Sequence, residues 1–278
     1  MSDPVRDPEQ LLPCPVCGTI NTGNPALPES RSPWALKACS RCGMVYLENP
    51  PGYDLLENEL AWEKTFATEQ TERRNRNSIA YSLGRAPKHI VNRLFRRNKL
   101  MRYIDRFVAP GPVLDVGCAG GHTFASLPDQ YIPFGIEISS ELSQRAQQQF
   151  APRGGSVIQA DAISGLQRLE AHQFTGIVMT SYLEHESHAR PALLEARRVL
   201  QTGGRVILKV PNYSSWNRRM RGADWCGYRF PDHVNYFTPA TLQKILKENG
   251  YTVVRFNLGD RLPTSDSMWL VAEAVGTS

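Results

Sequence analysis

The chain has 278 residues, of which 41% are apolar, a composition that excludes wholesale disorder and suits one large domain with an appendage. No run approaches the ~20 continuous apolar residues of a membrane helix, and the opening MSDPVRDPEQ lacks the basic-then-apolar pattern of an export signal, so a cytoplasmic chain without a membrane span is expected. The net charge of +5 is concentrated: residues 72–106 carry 11 basic side chains against Glu72 and Asp105, whereas residues 107–278 carry 16 basic and 15 acidic ones.

Four of the six cysteines come first, as Cys14-Pro-Val-Cys17-Gly and Cys39-Ser-Arg-Cys42-Gly. Two thiolates three positions apart can grip one metal from a tight turn, and the glycine that follows lets backbone N–H groups turn toward the sulfurs. Two such knuckles, 21 residues apart, supply the four tetrahedral ligands of a structural zinc site. A pair of disulfides and a rubredoxin-like iron site are the alternatives, the first disfavoured in a reducing compartment. The expected unit is a zinc ribbon over residues 1–50, a segment too short to build a core of its own. A closed four-thiolate site has no open position for chemistry.

Pro50-Pro51-Gly52 ends the ribbon, and residues 51–109 read as a basic helical connector, with Ile90, Leu94, Met101, Ile104 and Val108 on one face. After Pro110-Gly111-Pro112, short apolar runs alternate with helix-length segments. Strands are predicted over 113–116, 131–138, 156–159, 174–180, 205–210, 251–258 and 268–275. Helices are predicted over 141–150, 189–200 and 239–249, the last opened by Thr238 and Pro239 and closed by Gly250. This is the pattern of an α/β, Rossmann-like, seven-stranded and mainly parallel sheet covered on both faces. No helical pattern separates the final two strands, so the last is expected to run antiparallel.

The first strand of this region leads into Asp115-Val-Gly117-Cys-Ala119-Gly-Gly121-His122. A strand entering a glycine-rich turn lets a ligand approach the backbone, and the helix that follows favours negative charge. A dinucleotide fingerprint would place glycine at 117, 119 and 122, where this chain has Gly117, Ala119 and His122. The run instead resembles motif I of the class I S-adenosylmethionine (SAM)-dependent methyltransferases, with Asp115, Gly117 and Gly121 matching and Ala119 departing from the middle glycine. Glu137 ends the second strand, 22 residues after Asp115, where an acid can accept both ribose hydroxyls. Asp161-Ala162 follows the third strand, where the resemblance implies contact with the adenine amino group. Thr180-Ser-Tyr182-Leu-Glu-His185 follows the fourth, and Thr202-Gly203-Gly204 precedes the fifth, in the order of the family's motifs. The resemblance spans roughly residues 100–275. It implies a SAM-binding domain over 110–278, with Asp115, Gly117, Ala119, Gly121, Glu137, Asp161, Ala162 and Thr180 around the cofactor.

Methyl transfer to a hydroxyl needs a base, and loops after strands four and five supply two histidines, His233 being favoured over His185. His233 lies in an insert, residues 211–238, that is built like a substrate lid and is rich in aromatics and arginines. Its Trp216, Trp225, Tyr228 and Arg229, with Tyr182, are the predicted substrate contacts. The segment after strand four lacks the acidic-or-Asn-Pro-Pro-aromatic motif of methylases that act on exocyclic amines. The sequence is similar to bacterial methyltransferases with an N-terminal zinc ribbon, many of which resemble enzymes for sugars, quinones or secondary metabolites. That similarity implies O-methylation of a small molecule, with phosphate-bearing and lipid-linked acceptors among the candidates. The alternative is an RNA methyltransferase that holds rRNA or tRNA through the ribbon and the basic residues Arg73, Arg74, Arg76, Arg93, Arg96, Arg97, Lys99 and Arg102.

Overall fold

The computed structural model describes residues 11–52 and 97–275. The predicted connector from 53 to 96, with most of its arginines, lies outside these residues. Its end is α1 (Arg97–Phe107), whose Leu100, Tyr103 and Ile104, with Val108 just beyond, turn inward as the spacing predicts. Lys99 points its ammonium at Asp260 Oδ1, 3.1 Å away, so this cation of the basic segment is already paired.

The described residues form two sheets with their covering helices. The larger is built from β3 (Gly111–Val116), β4 (Tyr131–Glu137), β5 (Val157–Gln159), β6 (Phe174–Thr180), β7 (Leu200–Pro211), β9 (Tyr251–Arg255) and β10 (Ser267–Ala274). Their order is β5-β4-β3-β6-β7-β10-β9. Every pairing from β5 to β7 is parallel, and β10 runs antiparallel between β7 and β9. The expected antiparallel last strand is thus present. Central β6 is buried along nearly its whole length, which is why it reads as an unbroken apolar run rather than an alternating one.

The helices α2 (Ser140–Phe150), α3 (Ala162–Gln167), α4 (Ala189–Val199) and α6 (Pro239–Glu248) cover the sheet. On α4 the inward residues are Ala189, Ala192, Leu193, Ala196 and Val199, three and four apart. Thr238 caps α6 through a reciprocal bond with Thr241, an arrangement that stabilises a helix start by about 1 kcal/mol.

The smaller sheet is β1 (Leu36–Ala38), β2 (Val45–Leu47) and β8 (Asn235–Tyr236), in that order and antiparallel. The third strand comes from the 211–238 insert, which also folds a short helix, α5 (Trp216–Arg221), that the sequence did not announce. Tyr46 pairs with Asn235 and Val45 with Tyr236. The cysteine-bearing segment is therefore sewn to the insert rather than hung beside it. Leu36, Val45 and Leu47 share one core with Tyr213, Trp225, Tyr228, Val234 and Tyr236. Cys14, Val16, Cys39 and Met44 pack with the main core near Phe237, Leu242 and Ile245.

Candidate active site and cysteine cluster

A cavity of about 590 Å³ opens at the C-terminal ends of β3, β4, β5, β6 and β7, where crevices form in wound α/β sheets. One side is lined by Gly117, Ala119, Glu137, Asp161, Ala162 and Thr180, the other by Tyr182, Glu184, His185, Lys209, Arg229, Asp232, His233 and Asp266.

On the first side, the turn after β3 places Gly117 at φ 73° and Ala119 at φ 46°. A Cβ at Gly117 would lie 2.9 Å from the Tyr182 ring, so only glycine lets the β3 and β6 loops close on each other. Ala119 tolerates its left-handed backbone at a cost of about 1–2 kcal/mol, and its N–H donates to Glu137 Oε2 at 2.8 Å. Ser139 N–H donates to Glu137 Oε1 at 2.9 Å, so a backbone amide holds each carboxylate oxygen. Asp161 spends Oδ1 on the Ser164 N–H at the start of α3. Asp115 and Gly121 sit behind this wall rather than on it. Asp115 is buried at the end of β3, and burial together with the charge of Glu137 pushes its carboxyl well above the usual range. A Cβ at Gly121 would meet Ala146 Cα at 3.0 Å, so this glycine serves the packing of α2 against the turn.

The second side crosses two acid–histidine dipeptides, Glu184-His185 and Asp232-His233. His185 Nδ1 donates to both Oδ1 and the carbonyl of Asp232, each at 2.9 Å. His233 Nδ1 donates to the Gly227 carbonyl at 2.9 Å. Because these partners only accept, Nδ1 is the protonated nitrogen of each ring, and Nε2 is the one that carries a lone pair when the ring is neutral. The two rings meet edge to face, 4.7 Å between centroids. Burial disfavours a charged His185, but the hydrogen bond and charge of Asp232 outweigh it and raise its pKa above the ordinary value. Burial and the adjacent His185 push His233 well below it. Asp232 is held down to about 2, since its bond to His185 overcomes burial. It also meets Arg229 at 2.8 Å.

The β6–α4 turn is clamped to the insert. Val234 and Asn235 N–H donate to the Glu184 carbonyl, and the buried Asn235 side chain donates to the carbonyls of Leu183 and Glu186 at 2.9 and 2.7 Å. Leu47 N–H donates to the Val234 carbonyl at 2.9 Å, so the β2 segment buttresses the residue next to His233.

Three of the predicted substrate contacts lie elsewhere. Trp225 and Tyr228 are buried in the aromatic cluster between insert and ribbon, and Trp216 stands 55% exposed on α5. The aromaticity of Trp225 and Tyr228 serves packing, and their polar atoms are matched: the Trp225 N–H is taken by Asp266 at 2.8 Å, and the Tyr228 hydroxyl by Tyr213 at 3.2 Å. Glu184, Lys209 and Asp266 were not singled out from the sequence. The repeated acid–histidine pair is the signal that could have found Glu184.

The cysteine cluster forms two matching knuckles. Gly18 N–H donates to the Cys14 carbonyl at 2.8 Å and Gly43 N–H to the Cys39 carbonyl at 2.9 Å. Cys14 Sγ lies 3.5 Å from Cys42 Sγ, and Cys17 Sγ 3.5 Å from Cys39 Sγ. Thiolates about 2.3 Å from one tetrahedral ion stand about 3.8 Å apart, so the four sulfurs are set for a single metal. At Cys39, burial raises the thiol, but N–H groups of Cys42 and Arg41 and the neighbouring thiols bring it down to about 6.

A methyltransferase-domain family model matches residues 88–255. The chain belongs to that family. The methyltransferase fold is also that of a SAM-dependent methyltransferase from Archaeoglobus fulgidus, at 19% identity and TM-score 0.51 over 66% of this chain and 98% of that one. A protein from Listeria monocytogenes assigned to the same activity gives 13% identity and TM-score 0.52 over 65% and 98%. A chain of the Haloferax volcanii complex between the Trm112 methyltransferase activator and a protein assigned as a methyltransferase gives 15% and 0.53 over 65% and 90%. No curated protein is significantly similar to the methyltransferase. It is a class I, SAM-dependent enzyme, and among the described residues no helix is long and apolar enough to cross a membrane.

Proposed function

We propose that this SAM-dependent methyltransferase acts on a hydroxyl oxygen of a small molecule. The observation that carries the reading is the second wall of the cavity, where two histidine rings meet in the company of Tyr182 and Arg229, each with its Nδ1 committed to a protein oxygen. SAM, when bound, supplies a methyl group on a positively charged sulfur. Gly117, Ala119 and Thr180 would take its amino-acid end, Glu137 its ribose hydroxyls, and Asp161 with Ala162 its adenine, while Asp115 and Gly121 hold that wall from behind. His185 and His233 meet the acceptor hydroxyl and ease loss of its proton, with Asp232 fixing the His185 tautomer. Arg229, partly neutralised by Asp232, offers an anionic acceptor a partner.

The cysteine cluster holds structural zinc in this reading, and residues 1–50 are a brace for the acceptor wall. Residues 51–109 are the connector, and a cytoplasmic enzyme without a membrane span fits this reading. The test is transfer of labelled methyl from SAM to phenol, quinol and sugar hydroxyls, compared with RNA. An O-methyl ether in the small-molecule fraction is expected. Label confined to RNA, retained with a steep salt dependence, would establish the alternative.

A further inference from the structure

We propose that Glu184, His185 and His233 form a binding site for a divalent transition-metal ion at the acceptor end of the cavity. The inference rests on the O-methylation reading for what the ion does, and on geometry for where it binds. One donor atom from each residue lies within 4.8 Å of the other two. Two imidazoles and one carboxylate form a donor set that suits divalent first-row metals, and three protein ligands leave positions open. All three residues line the cavity, so the open positions face the acceptor.

Three further observations converge on the same point. Each histidine has its Nδ1 committed outward, His185 to Asp232 and His233 to the Gly227 carbonyl, leaving both Nε2 atoms as donors. Metal-ligating histidines are oriented by this kind of outer carboxylate or carbonyl. Glu184 is only 2% exposed, and its Oε2 is buried without a hydrogen-bond partner. A carboxylate so placed is costly unless a cation or donor meets it, and the hydrogen bonds on its own carbonyl from Val234 and Asn235 hold it there. The two imidazoles stand close enough to share one ion but make no hydrogen bond to each other. With the ion bound the two Nε2 atoms act as ligands rather than as bases, and an acceptor oxygen that completed the coordination would be acidic enough to give its proton to solvent in the open cavity before it takes a methyl group.

The full-length protein, stripped with chelator and returned to micromolar free Zn²⁺ by equilibrium dialysis, supplies the test by metal counting and by calorimetry with SAM. Two ions per chain are expected, one of them in the cysteine cluster. Glu184→Gln and His233→Gln should each lose one ion while SAM affinity, which reports an intact fold and cofactor wall, stays within twofold. A wild-type count of one, or a count of two that survives both substitutions, overturns the site. Should the count be one while His233→Gln still abolishes transfer to a hydroxyl, the metal fails and the O-methylation reading stands. If each substitution loses one ion but label is recovered only on nitrogen or RNA, the metal site stands and the O-methylation reading fails.

Discussion

The two sides of the cavity are assembled over different distances in the chain. The side proposed for the cofactor takes Gly117, Ala119, Glu137, Asp161 and Ala162 from turns that follow three consecutive parallel strands, held by short-range bonds at Glu137 and Asp161 and by the Ala119–Glu137 bond that ties the first turn to the second strand. The acceptor side takes Glu184 and His185 from one loop, Asp232 and His233 from an insert and Asp266 from the approach to β10, and it leans on β2 near the N-terminus. A wall made of local turns tolerates little change, whereas one made of separate loops can be rebuilt without disturbing the other. That division lets one fold keep its cofactor while acceptors differ.

The comparison breaks if the walls are not separable, and the largest expected effect tests this directly. His185→Ala or His233→Ala should lower kcat by about 10²- to 10⁴-fold, the usual worth of a positioned acid–base group, with SAM affinity unchanged by calorimetry. Glu137→Ala should do the converse, weakening SAM binding about 10- to 100-fold through loss of charged hydrogen bonds, and leaving kcat at saturating SAM nearly intact. Cys14→Ser and Asn235→Ala probe the brace. The latter strands the buried carbonyls of Leu183 and Glu186 and should cost about 2–4 kcal/mol in denaturant unfolding. Both substitutions should depress kcat before they touch SAM affinity.

Asp115 gives a pH signature of the cofactor wall. Its folded-state carboxyl is raised by burial and by Glu137, so its favourable contribution is complete below its unfolded pKa and is lost as pH rises through the higher folded value. Asp115→Asn should therefore raise the apparent Tm, more at pH 8 than at pH 5, while weakening SAM binding. The smallest effect belongs to Ala119→Gly, which relieves a positive φ and should stabilise the protein by no more than about 1 kcal/mol in denaturant titration.

The residues on the first side of the cavity were legible as a group because their information is local: a strand, a glycine turn and an acid at the next strand end follow one another in sequence. The mainly parallel pairing followed from the alternation of apolar runs and helical segments, and the antiparallel β10 from the lack of a helical pattern before it. The two histidines were found because few residue types titrate near neutrality. Their mutual contact, and the pairing of His185 with Asp232 instead of its neighbour Glu184, arise from chain crossing that no spacing encodes. Trp225 and Tyr228 looked like substrate contacts because an aromatic in a loop signals either a ligand or a hidden core, and the partner core lies at Leu36, Val45 and Leu47. The β2–β8 pairing was invisible for a similar reason, since strands of two or three residues have too little pattern to read.

That short pairing sets a limit on how the protein can be divided. A fragment begun at residue 97 would retain every cofactor-wall residue, yet β8 would present an unpaired edge and Tyr213, Trp225, Tyr228 and Tyr236 would lose their cover of Leu36, Val45 and Leu47. Water-exposed aromatics beside an open strand edge are a template for self-association. The cysteine segment thus acts as a built-in solubiliser, and a fragment without it is expected to precipitate before its chemistry can be assayed.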